Sequence, residues 1–181
     1  MKRILCFVLS FVFVFSLVAC NKEGKKDKDV IDIEYFVKLG QIPECEYSIG
    51  YKVEDLKKAL SESTDEEAYY DFREGKTSSS IDSGSYRFYY KNDNEERGIS
   101  YIVSFEKAFG FDTGSISVEI LNAFEDIDFS EEELDEDNSF FFYGAPEGTL
   151  YKYEFGDYTV AFVFIDNALS ATAVYTTDEW E

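Results

Sequence analysis

The stretch that most constrains the fold is Tyr158–Ile165. Tyr158, Val160, Phe162 and Phe164 alternate with Ala161, Val163 and Ile165, so both parities are apolar. Successive side chains of a strand point to opposite faces. A run apolar on both parities therefore fits a central strand with neighbours on each edge and cover on each face.

The flanking sequence supplies the neighbours. Thr149–Phe155 and Leu169–Thr176 read as strands, joined to the central one through the turn pairs Gly156-Asp157 and Asp166-Asn167. Ser139–Tyr143 is a further candidate. Upstream, three more runs alternate with period two: Tyr86–Lys91, Ile99–Phe105, and Ile116–Ile120 with Val118 between. Asn92–Gly98 reads as the turn between the first two. Ile33–Leu39 is expected as the first strand, closed by Pro43.

The helical period shows in Gly50–Ser63, where Val53, Leu56, Ala59 and Leu60 share a face. Thr64-Asp65-Glu66-Glu67 has the capping-box pattern, and a second short helix is expected from it through Phe72. Lys76–Ser85 reads as a Ser-rich loop. Asp126–Asp137 reads as an acidic turn in which Ser130-Glu131-Glu132-Glu133 caps one short helical turn. The expected class is α+β: an antiparallel sheet of about seven to eight strands with a short helical pair packed on one face. Helices followed by a meander, with a second meander later, suggest two similar units within a single domain, residues 33–181.

Lys2 and Arg3 precede the uncharged run Ile4–Ala19, 16 residues long. That is short for a helix spanning a hydrocarbon core of about 30 Å. A basic start, an apolar run and small residues at its end read as an export signal, residues 1–19. Leu17-Val18-Ala19-Cys20 resembles the lipobox of bacterial lipoproteins. The resemblance implies diacylglyceryl attachment to the Cys20 thiol, cleavage before it, and residence on the extracytoplasmic face of the cell membrane. Two acyl chains anchor stably where one is marginal. An uncleaved anchor and an ordinary export signal are the alternatives. Residues 20–32 form the lipidated N-terminus and a polar, Lys-rich linker.

Two of the 17 basic residues and none of the 38 acidic ones lie in 1–19, leaving 15 against 38, a net −23. Such a body has no means of displacing counterions from phosphates, which disfavours nucleic acid. Its natural partners are cationic: a basic protein or peptide, or a metal ion. A solubilising role for the acidity is the plainer alternative.

Chemistry is restricted further by the absence of His. Ser-His-Asp and Cys-His sites and His general bases are excluded. Cys6 leaves with the signal and Cys20 takes lipid, so Cys45 stands alone between Glu44 and Glu46. Neighbouring carboxylates raise a thiol pKa and make a poor nucleophile. Phe111-Asp112-Thr113-Gly114-Ser115 matches an aspartic-protease loop, with Ile81-Asp82-Ser83-Gly84-Ser85 a looser copy. Both are also ordinary turn sequences, and a turn is the expectation. Asp126, Asp128 and Glu132 are candidate ligands for loosely held calcium; the stretch lacks the Gly that an EF-hand requires.

The aromatic stripe Tyr151, Tyr153, Phe155, Tyr158, Phe162 and Phe164 has two readings. It is either the core face beneath the helices or an open binding face, with Tyr151, Tyr153, Tyr158 and Phe162 as partner contacts.

Gly50-Tyr51-Lys52-Val53-Glu54-Asp55-Leu56 and the helices after it resemble the opening of the β-lactamase-inhibitor-like and small envelope lipoprotein folds. Gly144-Ala145-Pro146-Glu147-Gly148, and Tyr153–Tyr158 with the last two strands, are similar to that fold's sheet. Members are envelope lipoproteins or secreted inhibitors that work by binding proteins. The expected function is thus a non-enzymatic, anchored binding module without a cofactor. A carboxylate-based enzyme acting on cell-wall glycans and a weak calcium-binding surface protein are the alternatives.

Overall fold

The computed structural model describes residues 31–62, 71–73, 78–92, 95–134 and 147–177. Asp32–Glu181 forms one compact unit. The export signal, Cys20, nearly all of the linker, Asp137, the expected strand Ser139–Tyr143 and Gly144–Pro146 lie outside the described residues.

The body is built on one eight-stranded antiparallel sheet. Two four-strand meanders meet at their last strands. The first comprises β1 (Asp71–Arg73), β2 (Ser78–Asp82), β3 (Tyr86–Lys91) and β4 (Tyr101–Ser104). The second comprises β7 (Ser130–Glu133), β8 (Thr149–Phe155), β9 (Tyr158–Ile165) and β10 (Ala168–Thr176). A small hairpin, β5 (Lys107–Ala108) and β6 (Phe111–Asp112), links them, followed by helix α3 (Ser117–Ala123). Helices α1 (Ile33–Lys38) and α2 (Val53–Ser61) precede the first meander. The α+β expectation holds, and β9 is an interior strand paired to β10 and β8.

Cross-strand registry assigns the faces. One face carries Phe88, Ile102, Val174, Val160 and Tyr153, opposed in that order. Tyr151 and Phe162 form the next opposed pair on it. The helices lie here: α1 packs on β8 and β9, Lys57 of α2 sits over the Tyr90 ring, and Phe124 after α3 stacks on Tyr153 at 4.2 Å. The opposite face carries a second buried cluster, including Tyr89, Tyr101, Val103, Ala161, Val163, Ala173 and Tyr175. The small side chains Ala161 and Ala173 stand directly opposed in it.

Several expected elements change type. Ile33–Leu39 is helix α1, not a strand. Asp32 caps it by accepting from Tyr35 N–H at 3.0 Å, and Glu34 pairs with Lys38 one turn on. Ile33, Phe36 and Val37 form its inward face at helical spacing, with Val37 fully buried. Gly40 then takes φ +63°, and a Cβ there would fall 2.7 Å from Ile49 Cβ and 3.0 Å from Tyr158 Cε1.

Ser117–Ile120 is likewise helical, while Ile116 before it is extended and bridges Ala168. Ser117, Ile120, Leu121 and Phe124 share one face, while Val118 is exposed. The expected Ser-rich loop contains β2. The expected helix through Phe72 is corrected at its end by β1, and residues 63–70 lie outside the described ones. Ser130–Glu133 is the edge strand β7, not a helical turn. The strand count therefore agrees with expectation, while its membership differs.

Candidate functional site

The aromatic stripe is the core beneath the helices along most of its length. Phe162 is fully buried and meets Phe109, Phe111, Phe124 and Tyr153 at ring centroids between 5.3 and 6.4 Å. Tyr153 is also fully buried, and its hydroxyl finds no hydrogen-bond partner among the described residues. Burial, with a smaller contribution from Tyr151, pushes its pKa up to about 12. Tyr158 is half-buried, against Gly40. Phe162 and Tyr153 are thus core residues and offer no surface to a partner. The six aromatics fit because the β5–β6 hairpin and Phe124 add rings above the sheet, beyond what two short helices could cover.

The hairpin is fastened by Glu44. Its carboxylate accepts from Phe109 N–H at 3.0 Å and Gly110 N–H at 2.9 Å. Phe109 holds φ 54°, which is uncommon for a bulky residue, and this turns its ring onto Phe162. The same loop buries Cys45, whose thiol is pushed up to about 11, first by burial.

The stripe reaches the surface at one corner. Phe129 is 47% exposed. Its ring meets Tyr151 and Tyr153, each at 5.5 Å, and half-buried Tyr151 continues it. A cavity of about 360 Å³ adjoins it, lined by Asp128, Phe129, Ser130, Lys152 and Glu154, of which Lys152 and Glu154 project on the sheet face opposite Tyr151 and Tyr153. Lys152 is paired with Glu132 at 2.7 Å, so the one cation of the wall among the described residues is neutralised. Asp126, Asp128, Glu131 and Glu154 are exposed around it.

β7 ends the sheet order, and among the described residues no strand pairs with its outer edge. Leu134 N–H bonds to Gly148 O at 3.0 Å. Counting back through the register, Glu132 and Ser130 fall in hydrogen-bonded pairs with Leu150 and Lys152. Glu131 falls between them, with its N–H and C=O turned outward.

The remaining candidates have other employment. Asp82 is buried and bonded to Arg87 Nε at 3.1 Å and NH2 at 2.6 Å, while Arg87 NH1 donates to Tyr89 Oη at 3.3 Å. Burial alone would lower the Arg87 pKa, and these bonds more than offset it. Asp112 is exposed on β6, and Thr113 Oγ1 donates to Phe105 O and Glu106 O in an ordinary turn. The two Asp residues therefore form no protease dyad. Asp126, Asp128 and Glu132 do not converge as ligands: Glu132 is bound to Lys152, and no cluster of three metal-binding side chains occurs among the described residues. A larger cavity, about 540 Å³, lies at the start of α2 beside Lys52, Val53, Glu54 and Glu96. Its wall offers no aromatic ring among the described residues. Phe129 went unnoticed in the sequence reading, although an aromatic bracketed by Asp128 and Ser130 beside six acids is visible there.

Fold and site define an α+β body with helices on one sheet face and an aromatic, acid-walled corner at the sheet edge. No family model matches the chain, and no curated protein matches it. Among solved structures, a DUF4309 family protein (YjgB) from Bacillus subtilis subsp. subtilis str. 168 aligns with a TM-score of 0.46 and 16% identity. The alignment covers 80% of this chain and 97% of that one.

Proposed function

We propose that the chain is a lipoprotein anchored through Cys20 to the extracytoplasmic face of the cell membrane, whose acidic body binds a basic protein or peptide. The anchor rests on the lipobox-like Leu17–Cys20 alone. The binding reading is carried by one observation: a half-exposed Phe129 ring at the sheet edge, packed on Tyr151 and Tyr153, with the exposed carboxylate of Glu131 projecting on the same face. An exposed ring beside a carboxylate suits a cationic side chain, which gains ring attraction and charge pairing together. The net charge of the body would speed encounter with such a partner.

An enzymatic reading finds less support. Asp82 is committed to Arg87, Cys45 is buried with its thiol pushed up, and the chain has no His. Cell-wall hydrolysis by the purified protein, abolished by changing a single carboxylate, would reinstate it.

Capture from envelope extract by the full chain in detergent is the direct test. The expected partner is basic, and it is lost with Phe129→Ala while the melting temperature is retained. Capture of nothing, or capture indifferent to Phe129, sinks the reading. For the anchor, fatty-acid labelling should vanish in Cys20→Ala; persisting label would refute it.

A further inference from the structure

We propose that the partner segment is an extended basic strand that adds to the outer edge of β7, placing one Lys or Arg side chain against the exposed Phe129 ring. The inference rests on the binding reading above and specifies its mode.

Three observations carry it. The first is the edge itself: Glu131 turns its backbone N–H and C=O away from β8, the arrangement by which an extended peptide joins a sheet. The second is the exposed Phe129 ring, which directly precedes β7 and packs on Tyr151 and Tyr153. Side chains of an added strand alternate between the two faces, so a residue on the Tyr151 face can reach the ring while its neighbours continue along the edge. The third is charge. Glu131 projects, exposed, on the Tyr151 face, while Glu132 on the opposite face is already paired with Lys152. An added strand with Lys or Arg on the Tyr151 face meets the Glu131 carboxylate beside the Phe129 ring. A second copy of this chain at the same edge would oppose glutamates to glutamates, which costs affinity and selects against self-pairing.

The test uses the full chain in detergent and a short synthetic peptide of alternating Lys and Val. A second peptide has the same sequence with alternate backbone amides N-methylated, and a third is a basic helical peptide of equal charge. Binding is read by calorimetry and amide exchange by NMR. The alternating peptide is expected to bind, to slow exchange at Glu131, and to lose about tenfold or more in affinity on N-methylation. Glu131→Gln and Phe129→Ala should each weaken it several-fold. Equal affinity for the methylated and unmethylated peptides, with Glu131 exchange unchanged, overturns strand addition and leaves the binding reading standing. Preference for the helical peptide has the same meaning. Failure of all three peptides, together with an empty capture from envelope extract, overturns both. The N-methylated arm alters only the ligand, so a poorly folding variant cannot blur the result.

Discussion

The two meanders bury opposite chemistry in equivalent positions. In the second, β9 presents Val160, Ala161, Phe162, Val163 and Phe164, all buried. In the first, the β2–β3 hairpin buries Ser79, Ser80, Asp82 and Arg87 beside Phe88, Tyr89 and Tyr90. The difference shows that an interior strand can be polar, provided its charges cancel locally. Asp82 and Arg87 are register partners, so the antiparallel pairing that buries them also brings them into contact. Desolvation of each charge is offset by the other and by the Tyr89 hydroxyl.

The largest expected effect breaks the apolar side. Phe162→Ala removes a ring packed against four others and should cost about 4–5 kcal/mol, read by denaturant unfolding. The polar side should respond differently to single and double changes. Asp82→Asn leaves a buried guanidinium without its counter-charge and should cost about 3 kcal/mol. Replacing both, Asp82→Leu with Arg87→Met, should recover most of that loss. A double variant no better than the single one would mean that the pair is needed for more than mutual neutralisation.

A third measurement probes the cover of the first meander, where Tyr47 packs edge-on against Phe88 at 5.6 Å and Cys45 lies buried nearby. The Cys45 thiol rises from 9.0 to about 11 on folding, chiefly through burial. Between those values the unfolded chain has released its proton while the folded one retains it. The folded state then holds more protons, so stability falls as pH rises. The contribution is complete below about pH 9 and lost progressively to about pH 11, roughly 3 kcal/mol in all. Cys45→Ala should move the onset of alkaline destabilisation to the tyrosine range, near pH 10. An unchanged onset would show that the thiol is not the first group to yield.

The contrast between the meanders also explains what was legible in the sequence. β9 and β10 could be read because apolar side chains on both parities have one good solution. α2 could be read from Val53, Leu56, Ala59 and Leu60. Ser78–Asp82 could not, because its compatibility with burial depends on Arg87 across the hairpin, and composition alone looks like a loop. α1 and α3 hid behind their β-branched residues: Ile33 and Val37, or Ile116, Val118 and Ile120, satisfy a strand pattern as well as a helix. Tertiary burial decided between them, through Phe36 beside Val37 and through Phe124 four residues after Ile120. The site was half legible. The aromatic stripe was found, but which part stays exposed depends on the hairpin held by Glu44 and on Phe124, both distant from it in sequence.

The smallest expected effect on stability is the one that separates core from surface along that stripe. Phe129 and Tyr153 are adjacent rings, 5.5 Å apart, yet one is 47% exposed and the other fully buried. Truncating a half-exposed ring forfeits its contacts with Tyr151 and Tyr153 but opens no enclosed cavity. Phe129→Ala should therefore cost about 1 kcal/mol. Tyr153→Ala removes a buried ring and should cost about 3 kcal/mol or more. Part of that loss is offset because its hydroxyl is buried without a partner among the described residues, so Tyr153→Phe should be neutral or stabilising. Thermal unfolding of the three variants side by side orders them. If Phe129→Ala proved as damaging as Tyr153→Ala, the corner would be core like the rest of the stripe, and a partner would have to bind elsewhere.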